Sequence, residues 1–322
     1  MDPPDETIPG RLKSWRSSSL VPLAWPIPLV LLALGLLGGG GLGGGLGCAS
    51  NDRPRFEYEP DEFRSVLRER IPDLPEPLMT VPFVVPESLV KRARRMIERR
   101  PLGPARVEAL VDTLMKQEPE GIGLIYDWRA SATAARTLEL GRGNCLSLAS
   151  VLVGAGRGLG WPVYYAEART TVPQTEEMGD IRVVIDHIVV VIAGQTVRRV
   201  VDFTGLVDEG YQLKVIDDLT AYAHLINNIA AERILAARPE AGEADWRAAA
   251  EGFRLAIRIQ PELARAWNNL GLAFSRLGEV DAARTAYARA VELDDTFGAA
   301  GGNLAILETR AAGAPQLIEN RP

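Results

Sequence analysis

The stretch GRGNCLSLASVLVGAGRGLGWP, residues 141–162, decides how this chain is read. Beyond Cys145 the apolar residues Leu148, Leu152, Ala155 and Leu159 recur at helical spacing, and Gly160 stops the helix just ahead of Trp161-Pro162. The turn Gly141-Arg142-Gly143-Asn144 in front of it makes Cys145 the opening residue of a buried helix. That position has chemical consequences. The thiolate is the reactive form of cysteine, and an unperturbed thiol has a pKa of roughly 8.5. The unpaired N–H groups and the dipole at a helix start favour negative charge. The same N–H groups are suited to holding an oxyanion during acyl transfer, an effect worth on the order of 3 kcal/mol for one donor.

On the N-terminal side, helical spacing predicts helices over 61–70 and 87–99, with Pro72, Pro75, Pro77 and Pro82 breaking the path between them, and further helices over 105–116 and 131–140. On the C-terminal side the character changes. Residues 163–168, 182–192 and 196–203 are rich in Val, Ile and Tyr and read as strands of an antiparallel sheet, with Ala193-Gly194-Gln195 as a tight connection between the last two. After Leu219 the chain reads as helical to near its end. A helical half, a buried helix and then antiparallel strands make an α+β fold.

Composition narrows the chemistry. The 322 residues allow two modest domains beyond a targeting segment, and 47% hydrophobic with 24% charged residues suits a folded, water-soluble protein. A net charge of −6 sets nucleic acid aside, because that affinity rests on clustered Lys and Arg. Two cysteines, Cys48 and Cys145, and two histidines, His187 and His224, leave few players for thiol–imidazole chemistry and supply no zinc site, metal centre or cofactor motif. A base for Cys145 is a histidine within reach, itself oriented by a third group. His187 lies on a predicted strand and Asp202 on the next, so a hairpin brings the two side by side. Whether they share a face depends on register, which the sequence leaves open. Asp186, the neighbour of His187, points to the opposite face. Taken singly, a cysteine on a buried helix is ordinarily a small core residue, a strand histidine a satisfied polar group, and a strand-end aspartate a turn cap. Their joint order favours chemistry. His224 is expected to be structural.

Residues 141–145, continuing through Leu148-Ala149 to Gly158-Leu159-Gly160-Trp161-Pro162, resemble the nucleophile motif of the transglutaminase-like superfamily, and His187 and Val201-Asp202-Phe203-Thr204 resemble its later His and Asp motifs. The likeness runs from about 105 to 204. It differs at Val189 and Phe203, where that family often has an aromatic residue and a proline. The resemblance implies a papain-like fold in which Cys145 attacks an amide carbonyl, His187 serves as base and then acid, and Asp202 orients His187.

At the N-terminus, Arg11, Lys13 and Arg16 precede an apolar run over 20–37 and a Gly-rich stretch ending in Leu46-Gly47-Cys48-Ala49-Ser50, the layout of a secretory signal. The ending resembles the lipobox of bacterial lipoproteins, with Gly45 where an aliphatic residue is usual. The likeness implies cleavage before Cys48, lipidation of Cys48, and a membrane-anchored protein facing the periplasm or cell exterior, with Ala49 favouring the outer membrane. An uncleaved anchor is the rival, although Pro22, Pro26 and Pro28 make a poor helix.

Trp267, Leu270, Gly271, Phe274, Gly278, Ala283, Tyr287 and Ala290 resemble the tetratricopeptide pattern, with Asp295 in place of its proline; small residues let two helices approach while the aromatics fill the gaps. One period earlier stand Ala249, Phe253, Ala256 and Pro261, with Arg233 and Ala237 replacing the Trp and Gly of the first helix; Leu304 and Ala305 suggest a capping helix. The expected domains are a signal over 1–48, a tether over 49–60, a transglutaminase-like domain over 61–218, repeats over 219–312 and a tail over 313–322. The expected function is an envelope thiol-dependent amide or isopeptide hydrolase or acyltransferase acting on a protein or peptide, with repeats holding a protein partner. The alternative is a non-catalytic lipoprotein adaptor.

Overall fold

The computed structural model describes residues 55–169, 175–178, 181–184, 187–194, 198–205, 211–237 and 240–312. Cys48 with the whole of the expected export segment, and Asp186, lie outside these residues. Three helices lead in: α1 (Pro60–Arg70), α2 (Glu87–Glu98) and α3 (Pro104–Met115). Each starts and stops for a local reason, as α1 shows: proline stands at its first position, Asp61 and Glu62 lie in the first turn, and Arg68 and Arg70 in the last, so its charges complement the helix dipole. Its Phe63 and Leu67, four residues apart, are fully buried.

Next come the short strand β1 (Ile125–Tyr126), α4 (Ala134–Leu140), the short strand β2 (Arg142–Gly143) and the central helix α5 (Cys145–Gly158). The helix expected over 131–140 begins only at Ala134, because Thr133 caps it and takes the Arg136 N–H. Helix α5 is itself buried along nearly its whole length, from Leu146 through Ser150 and Val153 to Gly156, so it is the helix about which the fold is arranged.

The strands that follow are β3 (Val163–Arg169), β4 (Thr175–Met178), β5 (Ile181–Val184), β6 (His187–Ala193), β7 (Arg198–Val201) and β8 (Gln212–Ile216). A four-stranded antiparallel sheet runs in the order β7-β6-β3-β8. Alternate residues serve different clusters: Val163, Tyr165, Ile188, Val190 and Ile192 join the core around α5, while Ala166, Ala168, Val189 and Val191 form a second, smaller one. The single strand expected over 182–192 is divided, since β5 pairs with β4 in a separate hairpin and β6 pairs with β3. A continuous apolar run does not reveal where a chain changes partner. Strand β8, largely exposed, was not expected.

The C-terminal part is five helices in succession: α6 (Asp218–Ala237), α7 (Glu243–Ile259), α8 (Ala264–Arg276), α9 (Val280–Leu293) and α10 (Gly298–Ala311). Asp217 caps α6, taking the Thr220 N–H at 2.6 Å. The array is continuous with the rest of the molecule, for Ala256, Ile259, Leu263 and Ala266 belong to the same apolar core as Phe63, Ile71 and Leu152. Among the described residues no helix is long and apolar enough to cross a membrane.

Candidate active site

Gly141 ends α4 in a left-handed conformation, φ 66°, which a glycine adopts without steric cost and which turns the chain back towards the core. The Gly141 and Gly143 carbonyls accept the N–H groups of Ile125 and Asp127, each at 3.0 Å, and this pairing fixes the turn. Asn144 is then the cap of α5. Its side chain takes the Ser147 N–H at 3.0 Å, and its carbonyl takes the Leu148 N–H at 2.9 Å. Cys145 is thereby the first residue of a buried helix, itself half-buried, with its own N–H and that of Leu146 ahead of the helix's first acceptors.

His187 opens β6 opposite Ala168 of β3 and is buried. The final pair of β6 and β7 is Val190 with Val201; continuing that register by one residue sets Asp202 opposite Val189, diagonal to His187 and on its face of the strand. The side chains meet, with His187 Nε2 2.5 Å from Asp202 Oδ1. Thr204 joins them: its hydroxyl donates to Asp202 Oδ1 at 2.8 Å and lies 2.8 Å from His187 Nε2, and its N–H donates to the same Oδ1 at 2.8 Å. A hydroxyl that donates to the carboxylate is free to accept from the ring, so the Nε2 proton is shared between Asp202 and Thr204. Nδ1 is then the nitrogen left to face Cys145, which lies close enough to favour the charged ring.

Electrostatics at His187 follow from these partners. Burial pulls its pKa down, but the hydrogen bonds to Asp202 and Cys145 and the negative charges behind them prevail, raising it from 6.5 to about 9. An imidazolium facing a sulfur is the pairing that holds a thiolate in reserve.

The helical array forms the other side of this region. His224 of α6 lies 3.0 Å from Glu167 of β3, and Arg169 of β3 reaches Asp294, just beyond α9, at 3.0 Å. Burial pushes the Glu167 carboxyl up, but His224, Lys214 and Arg169 outweigh it and leave its pKa at about 2. Arg265 of α8 stacks on Phe297, with 5.2 Å from its guanidinium carbon to the ring centre. Burial lowers its pKa to about 10, against the opposing pull of Glu167, Cys145 and Asp294, so α8 sets a cation within electrostatic reach of Cys145.

Within the array, α8 and α9 pack so closely that a Cβ added to Gly271 would lie 2.6 Å from the Tyr287 ring. Residues 264–297 match the family model of the tetratricopeptide repeat. The match covers one repeat; a search of curated proteins found no match to the chain. The first helices of successive pairs are joined by side-chain amides, Asn269 donating to Asn227 and Asn303 to Asn268, each at 2.9 Å.

The sequence singled out Cys145, His187 and Asp202, and the fold brings all three together; the lipidation candidate Cys48 lies outside the described residues. Two participants were given no role. Thr204 was legible, since Asp-x-Thr is the spacing at which an aspartate takes the N–H and hydroxyl two residues on. Glu232 was not, because it comes to the site from α6 across 88 residues from Asn144.

Proposed function

We propose that this protein is a thiol-dependent amide or isopeptide hydrolase, or acyltransferase, of the transglutaminase-like type, anchored at the cell envelope through its N-terminal segment. The observation that carries the reading is the buried His187 held on one nitrogen by Asp202 and Thr204, with Cys145 at the start of α5 among the groups that favour its charged form. Cys145 Sγ attacks the carbonyl carbon, and the electron pair of the carbonyl moves onto oxygen, where the first-turn N–H groups of α5 stabilise it. His187 gives its Nδ1 proton to the departing amine as the C–N bond breaks, leaving a thioester on Cys145. Neutral His187 then takes a proton from water or from an acceptor amine, which attacks the thioester and releases the acid or the new amide. Asp202 and Thr204 hold the ring in the required tautomer throughout. The tetratricopeptide repeat supports binding to a protein partner, and we assign it the role of recruiting or selecting the substrate.

The test is to trap the intermediate. Incubating the protein with activated ester and amide peptide substrates and digesting it should yield a Cys145 peptide heavier by the acyl group. His187→Ala should reduce its formation by roughly 10²–10⁴-fold, and Cys145→Ala should abolish it. A second reading, the non-catalytic adaptor, draws on the repeat alone. It requires that no acylated Cys145 peptide appear with any substrate while partner capture survives Cys145→Ala unchanged.

A further inference from the structure

Glu232 stands on α6, the helix that opens the array and packs against α7. Its carboxylate grips the segment before α4: Oε2 accepts the Ser131 N–H at 3.0 Å and Oε1 the Ser131 hydroxyl at 2.5 Å. Asn144 Nδ2 donates to Ser131 Oγ at 2.6 Å and reaches Glu232 Oε1 at 3.5 Å. The other end of the Asn144 amide takes the Ser147 N–H at 3.0 Å, and Ser147 Oγ in turn takes the Ala132 N–H at 2.8 Å and donates to the Ala130 carbonyl at 3.0 Å. The amide that caps α5 is thus fixed at both ends, and the residue that follows it is Cys145.

We propose that Glu232 is a positioning residue for the nucleophile: acting through Ser131 and Asn144, it sets the first turn of α5, so that Cys145 is aimed by the same helix that begins the repeat array. This rests on the thiol chemistry proposed above. The physical case is one of precision. Catalysis by a positioned nucleophile is steep in geometry, a misplacement of about 1 Å costing about 10²-fold, and a helix cap alone leaves the capping amide free to rotate on its outer side. Glu232 removes that freedom. Burial, with the nearby Asp127, raises its pKa in spite of the hydrogen bonds from Ser131 and Asn144, but its acceptor oxygens are what the network uses. His224 anchors α6 to Glu167 about two turns earlier, at 3.6 residues per turn, so α6 is tied both to the strand beside His187 and to the cap before Cys145. Movement of α6 would shift acid and nucleophile relative to one another.

The test uses the full chain in wild type, Glu232→Gln, Glu232→Ala, Ser131→Ala and His187→Ala, with iodoacetamide labelling read at the Cys145 peptide across pH and amide hydrogen exchange read over residues 144–148. Glutamine keeps the volume of Glu232 while replacing one acceptor oxygen by a donor, so it isolates the network from a packing defect. The expected result is a labelling profile displaced towards that of His187→Ala, a rate near neutral pH reduced about 10-fold or more, and faster exchange at the start of α5 with β3 and β6 unchanged. Ser131→Ala should have the same effect, and combining it with Glu232→Ala should add little, as for members of one network. Glu232 variants with the wild-type profile, in a protein whose labelling does depend on His187, overturn the inference alone. A wild-type profile indifferent to His187 overturns the thiol reading and the inference that rests on it.

Discussion

At the residue scale, Asp202 and Thr204 meet His187 on one nitrogen and leave the other for Cys145, and the charge of the ring is the direct reporter of that arrangement. The folded pKa of about 9 lies above the ordinary 6.5. Stabilisation from the charged ring is therefore fully present below about pH 6.5 and is lost as pH rises through about 9. With only two histidines in the chain, nuclear magnetic resonance can follow each imidazole. His187 should titrate well above 6.5 in the wild type, and Asp202→Asn and Cys145→Ala should each lower its midpoint, because each removes a contact that favours the imidazolium. An unchanged midpoint in both variants would contradict the pairing. Cys145 and His187 were legible because cysteine and histidine are so scarce that each instance had to be weighed, and Asp202 because it stands on the strand after His187. Their contact was not legible, since a shift of one residue in the β6–β7 register would have turned Asp202 to the opposite face.

At the scale of elements, α5 is held at both ends. Its N-terminus is aimed by Asn144, and near its C-terminus Arg157 makes two hydrogen bonds of 2.8 Å to Asp218, the first residue of α6. Asp218 is fully buried and also takes the Tyr58 N–H at 2.9 Å. Burial raises its pKa in spite of Arg157, so the carboxylate depends on that partner. Removing the cation while leaving the buried acid typically costs about 3–5 kcal/mol. Arg157→Ala should therefore lower the denaturant midpoint by a corresponding amount, and replacing both residues by an apolar pair should recover much of the loss. Helix α5 itself was readable from its 3.6-residue period and its glycine stop. So was the close pairing of α8 and α9, where Gly271 faces Tyr287. The β4–β5 hairpin and β8 escaped, because local pattern states a preference for strand without naming the neighbour.

At the scale of the molecule, the C-terminal helical array and the Cys145 region share one core. Ile259 and Leu263, from α7 and the connection after it, pack in the same cluster as Phe63 and Leu67 of α1, and Arg70 donates to the Ile259 carbonyl at 2.8 Å. An array this short lacks the three or so repeats that stand alone, and the shared core supplies what is missing. Calorimetry should show a single unfolding transition; two well-separated transitions would contradict a common core. Deleting residues 264–322 should expose the α6–α7 surface, seen as a lowered melting temperature and dye binding to apolar surface. The sequence showed a cysteine helix, a sheet and a repeat, in that order. That α6 belongs to both halves, with His224 on Glu167 and Glu232 on Ser131, depended on contacts far apart in the chain.

The central claim is that Cys145 and His187 act as one activated pair, and the pH dependence of iodoacetamide labelling at the Cys145 peptide tests it most directly. The account predicts fast labelling well below the ordinary thiol range of about 8.5, slowed substantially by His187→Ala. Slow labelling with the profile of an unperturbed thiol, identical in the two proteins, would contradict it.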